Sequence, residues 1–156
     1  TEEIWQQMRK IDARLPESVF LALWPEDREQ WVDAALEDRW QHMLQIRGEV
    51  SRALEKARTE LGIGQSLEAT VSVQVSPALE PIMSSASNAF WADLCIVSAF
   101  SWHVVPDSAE ADVAVAVSRV AGHKCPRCWK YSASPEGEDG LCSRCADVLR
   151  RVDAVQ

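Results

Sequence analysis

The chain has 156 residues, 47% of them apolar, which is enough for one ordinary domain or two small ones and too little for a multidomain enzyme. Sixteen Lys and Arg stand against 24 Asp and Glu, a formal charge of −8, so any nucleic-acid binding must use a local basic patch. No apolar run approaches the ~18 residues of a membrane-spanning helix, and the N-terminus lacks the basic-then-apolar order of a secretion signal; these features predict a soluble, cytoplasmic chain without a membrane partner.

A helical pattern is already under way at Thr1, through Ile4, Trp5 and Met8, which reads as a piece of a longer protein; Leu15-Pro16-Glu17-Ser18 then breaks it. Val19 to Pro25 reads as a short apolar, strand-like connector. Pro25 with Glu26 and Asp27 suits the first turn of a long helix. Its apolar positions Leu36, Trp40, Met43, Val50, Leu54, Ala57 and Leu61, with Arg47 in the missing step, form the packing seam of a helical bundle. Gly62 and Gly64 end it.

From Leu67 the period becomes two, through Ala69, Val71, Val73 and Val75, and predicts a half-buried strand closed by Ser76-Pro77. Ala78 to about Leu94 reads as a helix with a Ser-rich middle. Cys95 to Phe100 reads as a second strand, and Val113, Val115 and Val117 mark a third. The fold class expected is α+β, in three parts: a helical-bundle segment over 1–64, a small sheet-and-helix unit over 65–121, and a four-cysteine zinc ribbon with a terminal helix over 122–156. Seven basic residues against four acidic ones give Arg119 to Arg151 a net +3, which leaves −11 elsewhere.

Cys125-Pro-Arg-Cys128 and Cys142-Ser-Arg-Cys145 are two Cys-x-x-Cys pairs with 13 residues between them. Each pair can form a knuckle with both sulfurs facing one point, and two knuckles supply the four thiolates of one structural Zn²⁺. Two disulfides are disfavoured in a reducing compartment, iron is a weaker fit than zinc, and His123 is a spare ligand that four cysteines make unnecessary. A site closed by four protein ligands leaves no open position for catalysis. Lys124, Arg127, Lys130 and Arg144 beside the ligands either offset the −2 charge of the centre or face phosphate. Trp129 either plugs the small core or offers a stacking platform. Cys95 reads as a buried thiol rather than a nucleophile. Trp5, Trp24, Trp31, Trp40, Trp91 and Trp102 read mostly as core.

The run Gly122-His-Lys-Cys-Pro-Arg-Cys-Trp-Lys-Tyr131 with Gly140-Leu-Cys-Ser-Arg-Cys145 resembles the C-terminal zinc ribbon of bacterial-type isoleucyl-tRNA synthetases. Upstream, Arg47-Gly-Glu-Val50, Ala53 to Arg58 and Ile63 to Val71 resemble the junction between that family's anticodon-binding bundle and its C-terminal domain. Leu94 to Ser98, Glu2 to Trp5, Ser18-Val19 and Trp24-Pro25 extend the likeness over nearly the whole chain. Formamidopyrimidine-type DNA glycosylases share a related ribbon alone, which makes a DNA-repair or regulatory module the alternative; a protein-docking module is a third possibility.

The resemblance implies an intact enzyme that joins isoleucine to its tRNA with ATP. The family's His-Ile-Gly-His and Lys-Met-Ser-Lys-Ser signatures are absent, so no catalytic residue is expected in this chain. Its expected partners are the isoleucine-specific tRNA, through the anticodon stem-loop, and the rest of the synthetase, with no DNA. Candidate RNA contacts are Trp129, Arg127, Lys124, Lys130 and Arg144, with Arg47 behind them. For Arg47, Arg52 and Arg58 a solvated face paired with Glu49, Glu55 and Glu60 is the favoured alternative.

Overall fold

A computed structural model describes residues 1–24, 29–106, 112–135 and 139–153. The chain forms two compact units, Thr1–Ala34 and Ala35–Gln156.

The first unit contains helix α1 (Glu2–Ile11), with Glu2 and Glu3 in its first turn and Arg9 and Lys10 in its last, as the helix dipole favours. The following loop folds back on it. Trp5 Nε1 donates to the Pro16 carbonyl at 2.9 Å, and a Glu2 carboxylate oxygen accepts from Ser18 Oγ and the Val19 amide. Val19–Leu21 is a 3-10 turn rather than a strand, because Ser18 Oγ accepts from the Phe20 amide and winds the chain. Among the described residues no strand pairs with this segment, and Phe20, Leu23 and Trp24 are exposed. The expected helix start at Pro25 to Asp27 lies outside the described residues; Glu29–Trp31 is a further 3-10 turn.

In the second unit, α2 (Ala34–Leu61) buries Met43, Ile46, Val50, Leu54 and Ala57, a stripe at three- and four-residue steps. Ile46 fills the step that the sequence pattern gives to Arg47. Leu36, Trp40 and Leu61 stay over a third exposed. The stripe shares one core with strand β1 (Ala69–Val75), α3 (Glu80–Ser84) and α4 (Asn88–Cys95). The division into compact units falls at the start of α2, between Ala34 and Ala35.

β1 is the centre of a three-stranded sheet in the order β2-β1-β3, with β2 (Ala99–Val104) parallel to it and β3 (Val113–Arg119) antiparallel. Its alternation of Ala69, Val71, Val73 and Val75 inward with Thr70, Ser72 and Gln74 between them matches the period of two. A parallel neighbour requires a crossover, and α3 and α4 supply it. The helix expected over 78–94 is divided because Ser87 caps α4, its Oγ accepting from the Phe90 amide. Among the described residues no helix is long and apolar enough to cross a membrane.

Strand β2 starts at Ala99, and Cys95 belongs to the helix before it. The Ile96 amide bonds to the Asp93 carbonyl and the Val97 amide to the Ala92 carbonyl, closing α4 through a left-handed Ile96 at φ 56°. A β-branched residue there is strained by about 1–2 kcal/mol, and glycine is not. Ile96→Gly is therefore expected to raise stability by about 0.5–1 kcal/mol after glycine's unfolded-state entropy is deducted. The measurement is the urea midpoint at constant m value, and a lower midpoint would show that the exposed Ile96 side chain contributes more than the strain costs.

Candidate metal centre and nucleic-acid interface

The C-terminal segment begins with a minimal hairpin of β4 (His123–Lys124) and β5 (Tyr131–Ser132). Gly122 enters it at φ 120°, where a Cβ would lie 2.4 Å from the Ser132 carbonyl oxygen, so glycine is required by both conformation and space. Between the strands the chain turns back on itself. The Cys125 amide donates to the Lys130 carbonyl and the Trp129 amide to the Cys125 carbonyl, each at 2.9 Å. Trp129 completes this knuckle in the left-handed region, at φ 65°. Gly140, also left-handed, leads into Leu141 and Cys142, and the Ala146 amide bonds the Cys142 carbonyl as α5 (Ser143–Asp153) begins.

These turns bring the sulfurs of Cys125, Cys128, Cys142 and Cys145 within 4.8 Å of one another. The Cys128 and Cys142 sulfurs are 3.6 Å apart, against about 3.8 Å for two thiolates of a tetrahedral centre with ~2.3 Å bonds. Burial opposes ionisation of Cys125, but the amides of Cys128, Cys142 and Arg127 face its sulfur and lower its pKa to about 6. Burial pushes Cys128 up to about 12 and raises Cys145. An ionised Cys125 beside the protonated thiols of Cys128 and Cys145 is a donor set prepared for a cation, which would displace those protons. The four cysteines can thus hold one metal ion. Among the described residues His123 is outside the cluster.

The six candidate RNA contacts divide into two groups. Lys124, Arg127, Trp129 and Arg144 are exposed around the two knuckles, with Lys124 Nζ 5.9 Å from the Trp129 ring centroid. Trp129, 58% exposed, does not plug the ribbon core. Lys130 and Arg47 are engaged elsewhere. Lys130 pairs with Asp93 of α4, and Arg47 Nε donates to the Leu94 carbonyl at 3.0 Å. Arg52 pairs with Glu49 and Arg58 with Glu55, as a solvated face requires.

The sequence pattern missed the groups that tie the ribbon to the sheet unit. Ser98 Oγ donates to the Leu67 carbonyl at 2.6 Å and accepts from the Tyr131 amide at 2.8 Å. Together with Lys130–Asp93, this fixes the first knuckle against the end of α4; a lone serine before a strand gives no signal of it. Cys95 is buried as expected, and burial raises its thiol to about 11. The tryptophans depart from expectation: Trp91 is fully buried, Trp5 and Trp102 are half-buried, and Trp24 and Trp31 are largely exposed. Trp24 follows a three-residue 3-10 turn and Trp31 ends another, and neither turn is long enough to enclose an indole.

The family profile described as the anticodon-binding domain of tRNA ligase matches residues 1–75. Isoleucine–tRNA ligase of Kosmotoga olearia is 39% identical over 157 residues, covering 97% of this chain and 17% of the relative. Those of Petrotoga mobilis and Aquifex aeolicus are 36% and 35% identical, over 96% and 95% of the chain. The chain spans about a sixth of the length of these relatives. A likeness that runs from α1 through the ribbon disfavours the DNA-glycosylase alternative, which accounts for the ribbon alone. The chain belongs to the isoleucine–tRNA ligase family as a segment that carries anticodon-binding-domain sequence and four clustered cysteines able to hold a metal ion.

Proposed function

We propose that this segment grips isoleucine-specific tRNA at its anticodon stem-loop, for ATP-dependent isoleucylation by the class I catalytic part of a longer cytoplasmic synthetase chain. The observation that carries this reading is Trp129, exposed in a strained turn beside Lys124 and Arg127, with Arg144 on the second knuckle. An aromatic face covers an unstacked base, and the cations meet phosphates on either side. Zn²⁺ is the metal that best suits four thiolates in two knuckles; held by Cys125, Cys128, Cys142 and Cys145 it supplies folding energy and no chemistry on substrate. Lys130 and Arg47 serve by holding the ribbon and the end of α4 in place.

Titration of the zinc-loaded chain with isoleucine-acceptor tRNA across a salt series tests this. Trp129→Ala is expected to weaken binding about ten-fold, within the range for loss of one base stack. Arg127→Gln is expected to lower the slope of log K against log salt by about one. Both variants should retain bound zinc. Parent-like tRNA affinity in the two variants would remove the ribbon from the interface.

A further inference from the structure

Away from the ribbon, a cavity of about 320 Å³ lies between α2 and the start of α4. Arg39, Trp40 and Met43 line one side; Ser85, Ser87 and Phe90 line the other. That volume is at the lower end of the range for small-ligand sites. Three features give it a definite chemistry.

Trp40 does not occupy the core. It remains 37% exposed and meets Phe90 edge-on, with centroids 6.1 Å apart, an arrangement in which at least one ring keeps a face uncovered by the other. Arg39 is exposed and forms no ion pair with a described residue, whereas Arg52, Lys56 and Arg58 on the same helix each pair with a glutamate. The reason is positional: Ala35, Leu36, His42 and Met43, three and four residues away, offer no carboxylate. Finally, among the described residues no acidic one lines the cavity, in a chain of charge −8. The larger cavity of about 520 Å³ nearby is the opposite case, with Glu49 and Asp112 in its wall, and it would repel a phosphate.

Resting on the tRNA reading above, we infer that the Arg39–Trp40–Phe90 cavity is a second nucleotide subsite, which takes one unpaired base of the bound RNA against its aromatic wall and that nucleotide's phosphate against Arg39. The hydroxyls of Ser85 and Ser87 give the rim polar partners for a base edge or a ribose, although each also serves its own turn. The subsite and the ribbon lie at the two ends of α4, since the cavity includes Ser87 at its start and Lys130 pairs with Asp93 near its finish. One RNA strand can therefore contact both across the ~12 Å length of an eight-residue helix.

The test uses the zinc-loaded full chain with Arg39→Gln, Trp40→Leu and Trp40→Phe, titrated with isoleucine-acceptor tRNA and separately with a five-nucleotide uridine oligomer. Arg39→Gln, at an exposed position, is expected to weaken tRNA binding about five-fold and to lower the salt slope by about one. Trp40→Leu should weaken binding about ten-fold, and Trp40→Phe should recover most of that loss, because stacking needs a ring and a packing defect alone would not single one out. If the parent binds tRNA and Arg127→Gln weakens it while Arg39→Gln and Trp40→Leu bind like the parent, the subsite is overturned and the ribbon interface stands. If the parent fails to bind tRNA at low salt, the wider reading falls; parent-like binding of the oligomer by both variants would then overturn the subsite as well.

Discussion

Removal of the metal is expected to unfold residues 122–153 while leaving the three-stranded sheet and its helices intact. The described part of the ribbon buries Cys125, Cys145 and Ala146 as its only apolar core, and its hairpin pairs two residues with two. So little burial cannot offset the conformational entropy of ordering about thirty residues. A structural zinc can contribute about 10 kcal/mol or more to folding, which exceeds the remaining ties, Tyr131 to Ser98 and Lys130 to Asp93. Chelation should collapse the amide resonances of Cys125, Trp129 and Tyr131 and leave those of Val71, Val73 and Trp91 in place. Cys128→Ser should give the same spectrum without chelator. Retained hydrogen-exchange protection at Cys125 and Tyr131 after verified metal loss would show that the ribbon stands on packing and hydrogen bonds.

Acid should act in the same direction as chelation. Cys128 and Cys145 have raised pKa values and carry protons at neutral pH, so binding the cation displaces at least those two. Metal affinity is then expected to fall about a hundred-fold for each unit of pH decrease near neutrality. The loss occurs as pH falls because the metal-free form holds the protons.

Local patterns carried the sequence reading well where burial has a period. The alternation over Ala69 to Val75 gave the central strand, and the two Cys-x-x-Cys pairs gave a cluster that the fold closes to within 4.8 Å. Reading failed where a single polar group redirects the backbone. Ser18 turns an apolar run into a 3-10 turn, Ser87 restarts a helix, and the Asp93 and Ala92 carbonyls extend α4 through Cys95 before the second strand begins. At α2 the pattern identified the stripe but assigned one step to Arg47 when Ile46 fills it, a rotation of one residue that an amphipathic helix with arginine at its margin leaves open. The junction between ribbon and sheet was illegible for a different reason: Ser98, Tyr131 and Lys130 act through contacts more than thirty residues distant in sequence.

That junction explains why a fully buried residue, which can touch no RNA itself, should control affinity. Trp91 is fully buried, stacks on Phe100 at 5.8 Å with an interplanar angle of 16°, and meets Phe90 edge-on. Its Nε1 donates to the Met83 carbonyl at 3.1 Å, tying α4 to α3. Trp91→Ala removes the largest side chain of the core and is expected to cost about 4 kcal/mol, a large share of the 5–15 kcal/mol available to a domain. Trp91→Phe retains a ring and leaves the Met83 carbonyl unpaired, at a cost of about 1–3 kcal/mol. Both should lower the urea midpoint in that order. The functional effect follows from position: α4 presents Asp93 to Lys130 and the Leu94 carbonyl to Arg47, so a loosened α4 no longer holds the first knuckle in one orientation. Trp91→Phe, measured at a temperature where it remains folded and zinc-loaded, should therefore weaken tRNA binding several-fold while leaving the salt slope unchanged, since no phosphate contact is lost. A reduced slope would mean that Trp91 supports a cation-bearing contact directly, and unchanged affinity would mean that the ribbon is oriented without α4.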